Sequence, residues 1–134
     1  MHCFDTDVVS AVLGRKPPLH LIRRLASLPA EKQFTTAITV GELLYGNVTR
    51  NSAQLTARVR AVILSAAEVL PFDESAAHIS GSLRADLEAR GRRLSEPDLR
   101  IASIVLSRDL ALVTGNIRHF GRVPELRVEN WLEH

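Results

Sequence analysis

The stretch Met1–Leu13, MHCFDTDVVSAVL, sets the pattern that decides the fold. It begins with a short apolar run that ends in an acid, Asp5, which is typical of a buried strand. The remainder predicts a helix over about Asp7–Leu13, closed by Gly14 and the proline pair that follows. The chain therefore opens with a strand that feeds directly into a helix.

The same alternation continues along the chain. Further strands are predicted over about Phe34–Ile38, Val69–Phe72, Ala111–Thr114 and Leu126–Val128. Further helices are predicted over about Leu19–Leu28, Thr39–Gly46, a segment with Leu55, Val59, Val62, Ile63 and Ala66 at helical spacing, Glu74–Arg90 and Ser95–Ser107. Strands separated by helices predict a parallel sheet covered on both faces. The predicted fold is a single α/β domain over residues 1–134, a three-layer α/β/α sandwich with a central, mainly parallel sheet.

The composition is that of an ordinary globular domain, with 134 residues, 46% hydrophobic and 24% charged. The longest apolar stretches, Ala61–Ala67 and Ile101–Leu106, are far shorter than the ~20 residues of a membrane-spanning helix. Asp5 and Asp7 stand where a secretory signal would need basic and then apolar residues. The single Cys3 cannot form an internal disulfide. These features predict a cytoplasmic protein with no membrane segment.

Three carboxylates occupy equivalent places in the predicted fold: Asp5 ends the first strand, and Glu42 and Asp98 lie in the first turns of two helices. Ligand crevices of open α/β sheets form at this edge, so the three acids are expected to converge. Asp5 is the sharpest signal, because a carboxylate at the end of an apolar strand is costly to bury without a partner or a cation. Mg²⁺ or Mn²⁺ is the usual positive partner in phosphate chemistry.

Each acid also has a purely structural interpretation. Thr39-x-x-Glu42 and Ser95-x-x-Asp98 both have the pattern of a capping box, in which the acid reaches back to a free backbone N–H group. Asp7 is of a residue type that is favoured at the N-cap of a helix. At the level of the sequence, the capping and the metal-binding interpretations both remain open.

Four segments carry a resemblance to a known family: FDTDVV at 4–9, TVGELLYG at 39–46, LSEPDLRIA at 94–102, and LVTGN at 112–116 with RHF at 118–120. Together they resemble the motifs of the PIN domain, specifically of VapC-like ribonuclease toxins from type II toxin–antitoxin modules. The order and the spacing of the motifs agree over nearly the whole chain. The resemblance implies the same three-layer α/β fold.

The resemblance also implies a function. It predicts an endoribonuclease that hydrolyses phosphodiester bonds in RNA, with tRNA as one candidate substrate, to arrest translation and growth. The implied cofactor is Mg²⁺ or Mn²⁺, and the implied partners are RNA, a cognate antitoxin and a second copy of the chain in a homodimer. Asp5, Glu42 and Asp98 are the implied metal ligands. Asn116 completes the predicted catalytic set. Many relatives have a further acid near the fourth motif, and here Asn116 and His119 stand where it is expected, so a second metal is left open.

Other residues are predicted to support this site. Asp7 stands where many relatives have Asn or Ser. Together with Thr6 and Thr114, it is expected to hold the acids in place without binding the metal directly. Basic residues near the third and fourth motifs are expected to contact the RNA backbone. The arginines chosen for this role are Arg92, Arg93 and Arg118.

Two alternatives are weighed against this function. A haloacid-dehalogenase-like phosphatase shares the pattern Asp5-Thr6-Asp7-Val8, but its chemistry needs a later Lys, and none follows Lys32. A non-catalytic PIN fold that binds RNA or a protein stays open, because the fourth acid is absent. The apolar faces of the first helices are either core or a surface for self-association or an antitoxin; their residues are Leu19, Leu21, Ile22, Leu25, Leu44 and Tyr45.

Overall fold

Five parallel strands form the central sheet. The computed structural model describes residues 1–49, 53–54, 57, 61 and 67–133. Within them the strands pair in the order β3-β2-β1-β4-β5, and every pairing is parallel, which confirms the predicted sheet. Their bounds are β1 His2–Phe4, β2 Gln33–Thr36, β3 Glu68–Leu70, β4 Ala111–Val113 and β5 Arg127–Glu129.

Helices connect these strands, and a 3-10 turn, Ala30–Lys32, precedes β2. The helices are α1 Thr6–Leu13, α2 Leu19–Ala26, α3 Ala37–Thr49, α4 Glu74–Ala89, α5 Glu96–Ser107 and α6 Ile117–Phe120. None of the helices in the described part of the chain is long and apolar enough to cross a membrane. The predicted helical residues Leu55, Val59, Val62, Ile63 and Ala66 lie outside the described residues.

Two hydrophobic cores cover the two faces of the sheet. Successive residues of a strand point to opposite faces, and the central strands follow this rule. Cys3 and Leu112 pack into a core with α4 and α5, whereas Phe4 and Val113 pack into a second core with α1 and α2. The predicted three layers are therefore helices, sheet and helices.

Trp131 fixes the segment that follows β5. Its ring is almost fully buried, lies 5.5 Å from the Phe4 ring between centroids, and carries the Arg24 guanidinium 4.2 Å from its centre. The Trp131 indole N–H also donates to Glu129 at 3.0 Å. This anchoring carries the next residue, Leu132, to the turn that follows β4, where it lies against Gly115.

The start of α3 corrects the predicted boundary. The Thr36 hydroxyl accepts a hydrogen bond from the backbone N–H of Thr39 at 3.1 Å, so the helix begins at Ala37 and the predicted strand residues 37–38 are helical. The helix also continues through 47–49, where a polar turn was predicted. Because α3 begins early, its first turn holds no acid and Glu42 lies in the second turn. The capping-box prediction for Thr39 and Glu42 is therefore wrong.

Two other local predictions are resolved by the structure. Asp7 is not an N-cap, because Asp5 holds that position in α1 and Asp7 lies inside the first turn. Among the apolar residues of the first helices, Leu21 is fully buried core, whereas Leu19 is 61% and Tyr45 is 73% exposed. The remaining three, Ile22, Leu25 and Leu44, are half-buried. Core packing thus accounts for only part of this set.

Candidate active site

Asp5 lies at the centre of the candidate site, at the carboxyl end of β1 and the start of α1. Its side chain is buried, with 5% exposed. The backbone N–H of Thr6 donates to Asp5 Oδ1 at 2.7 Å, and the Thr114 hydroxyl donates to Asp5 Oδ2 at 2.7 Å. Thr114 directly follows β4, so the carboxyl ends of two neighbouring strands meet at this carboxylate.

The environment of Asp5 disfavours its negative charge. Burial raises the pKa of Asp5 to about 6; the hydrogen bonds from Thr114 and Thr6 lower it, and the charges of Asp7 and Asp98 raise it. A cation beside Asp5 would act in the opposite direction and favour the ionised form. The predicted buried carboxylate at the strand end is thus present, and it lies within electrostatic reach of two further acids.

Asp98 lies in the first turn of α5, on a third element that reaches this edge. The Ser95 hydroxyl oxygen accepts from the backbone N–H of Asp98 at 3.3 Å, which makes Ser95 the N-cap of α5. Burial raises the pKa of Asp98, the Ser95 hydrogen bond and the charge of His119 lower it, and the charge of Asp7 raises it. The N-cap half of the predicted capping box is therefore present, while Asp98 itself faces other charged groups of the site.

Thr6 connects Glu42 to the other acids. Its hydroxyl donates to Glu42 Oε1 at 2.7 Å and lies 3.3 Å from the Thr39 hydroxyl, while its backbone N–H holds Asp5. The Thr39 hydroxyl lies 3.3 Å from that of Thr36. Glu42 is exposed, in contrast to Asp5. A line of threonine hydroxyls therefore joins the end of β2 to the acids at the end of β1.

Thr6→Val tests this connection, because valine keeps the shape of threonine and removes its hydroxyl. The predicted result is a folded protein whose affinity for Mn²⁺ falls roughly ten- to hundredfold, as is usual when a group that orients a metal ligand is lost. Isothermal titration with Mn²⁺ measures the effect. The matched control is Ser107→Ala, which removes a hydroxyl that donates to the Ile104 carbonyl at the end of α5 remote from Asp98 and should leave the affinity unchanged. Equal affinities for both variants would contradict the role of Thr6.

The turn after β4 brings Asp7 and Asn116 to the same place. The backbone N–H of Gly115 donates to Asp7 Oδ2 at 2.8 Å, and that of Asn116 donates to the Thr114 hydroxyl oxygen at 3.0 Å. A Cβ atom on Gly115 would lie 2.8 Å from both Asp7 Oδ2 and Leu132 Cδ1, so this close approach requires glycine. Asn116 is the N-cap of α6, although its side chain makes no capping hydrogen bond.

The predicted RNA-contacting arginines surround the same edge. Arg92 and Arg93 lie between α4 and α5, Arg118 lies in α6, and all three are exposed. The Arg122 guanidinium donates to the backbone carbonyl of Arg93 at 3.2 Å, which ties the two segments together. Arg93 itself lies 3.8 Å from Glu88. The basic segments are therefore neighbours in space.

Sequence reasoning missed several members of this network. In the sequence, Thr36 and Thr39 resemble ordinary strand and cap residues, although their hydroxyls belong to the network. Nothing in the sequence indicates that Gly115 lies close to Asp7. His119 is exposed, and its charge acts on Asp98. The one feature of the sequence that could have indicated this network is the number of hydroxyl-bearing residues close to the acids.

The donor set fits a hard divalent cation. Carboxylate and hydroxyl oxygens line the site, and Asp7 Oδ1 is buried without a hydrogen-bond partner. Among the described residues, no three His, Cys, Asp or Glu side chains are yet gathered closely enough to hold a metal ion. Glu42 is exposed and its Oε1 accepts the Thr6 hydroxyl.

Comparison with known proteins identifies the family to which this fold belongs. The chain belongs to the PIN-domain family, whose model matches residues 2–126. Ribonuclease VapC2 of Haemophilus influenzae is 34% identical over 131 residues, which are 98% of each chain. The tRNA(fMet)-specific endonuclease VapC of Salmonella typhimurium is 33% identical over 127 residues, 95% of each chain.

A solved structure extends the comparison to three dimensions. The crystal structure of VapBC2 from Rickettsia felis bound to a DNA fragment from its promoter contains a chain that superposes with a TM-score of 0.88 at 29% identity. The match covers 97% of this chain and 98% of that one. The family, the fold class and the nuclease class that the sequence predicts are confirmed.

Proposed function

We propose that this chain is a divalent-metal-dependent endoribonuclease that acts as the toxin of a toxin–antitoxin pair. The observation that carries the proposal is the buried Asp5, at the carboxyl edge of the sheet and under the charges of Asp7 and Asp98. Asp5, Glu42 and Asp98 would hold Mg²⁺ or Mn²⁺, with Asn116 beside them. The similarity to VapC ribonucleases over nearly the whole chain supports this assignment.

The residues of the site have distinct parts in phosphodiester hydrolysis. When bound, a divalent cation lowers the pKa of a water and stabilises charge on the phosphate. The hydrogen bonds from Thr6 and Thr114 fix both oxygens of Asp5, so this carboxylate keeps one orientation through the reaction. Thr6 limits the position of Glu42 in the same way. The Asn116 amide would orient the scissile phosphate or the attacking water without adding negative charge.

The substrate and the partners follow from the surroundings and from the relatives. The Salmonella typhimurium relative is named as specific for tRNA(fMet), which makes tRNA the first candidate substrate here. RNA would be cut where it is single-stranded or looped, because duplex RNA hides its base edges. Arg92, Arg93 and Arg118 would contact its backbone. The structural relative is a VapBC complex, which supports a cognate antitoxin as partner, and a homodimer in the cytoplasm completes the proposal.

RNA cleavage with and without metal tests this function. The purified, antitoxin-free protein is incubated with total RNA and with tRNA in Mg²⁺, in Mn²⁺ or in EDTA. We expect cleavage in either metal, loss of cleavage in EDTA, and recovery when excess Mn²⁺ is returned. Cleavage that continues in EDTA would contradict metal dependence. A folded protein that cuts no RNA under any of these conditions would favour a non-catalytic PIN fold that binds RNA or a protein.

A further inference from the structure

Asp7 has one carboxylate oxygen that the fold uses and one that it does not. Oδ2 accepts the backbone N–H of Gly115 at 2.8 Å and so holds the turn after β4. Oδ1 is buried and has no hydrogen-bond partner. Within the described residues, the only other buried side-chain polar atom in this condition is His2 Nδ1. A buried carboxylate oxygen without a partner is costly, so its presence here needs an explanation.

Helix capping does not explain Asp7. The N-cap of α1 is Asp5, whose Oδ1 already accepts the N–H of Thr6. An acid in the first turn gains some stabilisation from the helix dipole, but an exposed acid obtains the same benefit without burial. The contact with Gly115 explains only Oδ2, and a neutral amide oxygen would serve that contact equally well.

The charge of Asp7 is directed at the other acids of the site. It acts on both Asp5 and Asp98, which lie on different elements of the fold. In the absence of a cation this arrangement is purely repulsive. The turn that Asp7 holds carries Thr114, which binds Asp5, and Asn116, a neutral residue at one of the two places, with His119, where the PIN resemblance implies an acid. Asp7 therefore brings a negative charge to the part of the site where Asn116 brings none.

We infer that Asp7 supplies the fourth anionic group of the cation site, in place of an acid at position 116. Oδ1 faces the cation or a water that the cation holds, while Oδ2 keeps the turn after β4 in place. This inference rests on the proposed function, because it assumes that Asp5, Glu42 and Asp98 bind a divalent cation. Asp7 then helps to bind the cation through its negative charge, rather than only orienting the acids that bind it.

Binding of Mn²⁺ to the RNA-free protein, measured by isothermal titration and by the electron paramagnetic resonance signal of free Mn²⁺, tests the inference. Asp7→Asn removes the charge but keeps an oxygen that accepts from Gly115, so a loss of affinity reports charge rather than folding. We expect the Mn²⁺ Kd to rise roughly ten- to hundredfold. Adding Asn116→Asp to that variant should restore most of the affinity. The matched control is Glu74→Gln, which removes a first-turn acid of α4 and should change nothing.

A second variant keeps the inference testable if Asp7→Asn fails to fold. Asn116→Asp alone adds a fifth acid to a site that, on this inference, already has four anionic groups, so the Kd should change by less than about threefold. A tightening of tenfold or more would show that the fourth position was vacant and would overturn the inference. Equal Kd values for wild type and a folded Asp7→Asn would overturn it as well.

The outcomes also separate this inference from the function on which it rests. If wild type binds Mn²⁺, and Asp5→Asn abolishes binding while Asp7→Asn does not weaken it, the metal site stands and the role of Asp7 is rejected. If wild type binds no Mn²⁺ even at millimolar concentration, both the metal site and the role of Asp7 are rejected.

Discussion

Asp5→Asn is expected to abolish RNA cleavage while leaving the fold intact. The side chain keeps its size. Its amide oxygen can accept the N–H of Thr6, and its amide nitrogen can donate to the hydroxyl oxygen of Thr114. What disappears is the charge at the centre of the site. Metal-assisted stabilisation of the transition state amounts to several kcal/mol, and 1.36 kcal/mol corresponds to a tenfold change in rate. We therefore expect the cleavage rate of tRNA or total RNA to fall roughly a hundred- to thousandfold in saturating Mn²⁺.

The chain offers a closely matched control in Asp73→Asn. Asp73 is also an aspartate N-cap, and its carboxylate accepts the backbone N–H of Ala76 at 3.0 Å at the start of α4. It belongs to none of the contacts of the site described above. The control should therefore cut RNA at the wild-type rate. If Asp5→Asn cuts as fast as Asp73→Asn, Asp5 has no part in the chemistry and the site must lie elsewhere.

The order of strands and helices was predictable because the period of the apolar residues changes between them. The apolar run 110–113, which lies between Asp109 and Thr114, is too short for a helix, so it predicts a strand that is buried on both faces. The end of a helix is equally visible where a glycine follows it. Gly91, with φ +67°, closes α4 in a conformation that other residues rarely adopt.

Boundaries that depend on a single hydroxyl were not predictable. Thr and Ile favour strands, so Phe34–Ile38 was predicted as one strand, yet Thr36 caps a helix that begins at the next residue. Thr35, Thr36 and Thr39 cannot be told apart by residue type, and only the contact that each hydroxyl makes in the fold distinguishes them. The error placed Glu42 in the first turn of α3, whereas it lies in the second.

The acids were found from the sequence and the resemblance placed Thr114 beside them, but the contact of Asp7 with Gly115 was not predicted. Asp5 is signalled by its place at the end of an apolar strand, because burial there has a recognisable cost. The contact of Asp5 with Thr114 spans 109 positions and that of Asp7 with Gly115 spans 108. Such contacts depend on the order of the strands in the sheet, and the alternation of elements does not determine that order. The unused oxygen of Asp7 became visible only with the structure.

Asp5→Asn is also expected to stabilise the metal-free protein at neutral pH. In the fold the pKa of Asp5 is raised from its usual 3.8 to about 6, mainly by burial. Between about pH 4 and pH 6 the folded chain therefore binds more protons than the unfolded chain, so the free energy of unfolding falls as the pH rises through this window. The total cost of ionising Asp5 in the fold is on the order of 3 kcal/mol. The neutral amide carries no such cost.

Urea unfolding between pH 4 and pH 8 in EDTA measures this difference, since acids remote from Asp5 titrate alike in both proteins and cancel in the comparison. Wild type should lose stability relative to Asp5→Asn as the pH rises to 6, and should remain the less stable of the two at pH 7.5. Saturating Mn²⁺ should reverse the order, because a bound cation stabilises the folded state that binds it and favours the ionised carboxylate. Parallel pH profiles for the two proteins would show that the fold does not disfavour the charge of Asp5. A metal-free wild type that is less stable than Asp5→Asn would mean that the fold does not require the charge of Asp5, as expected if that charge serves the proposed cation.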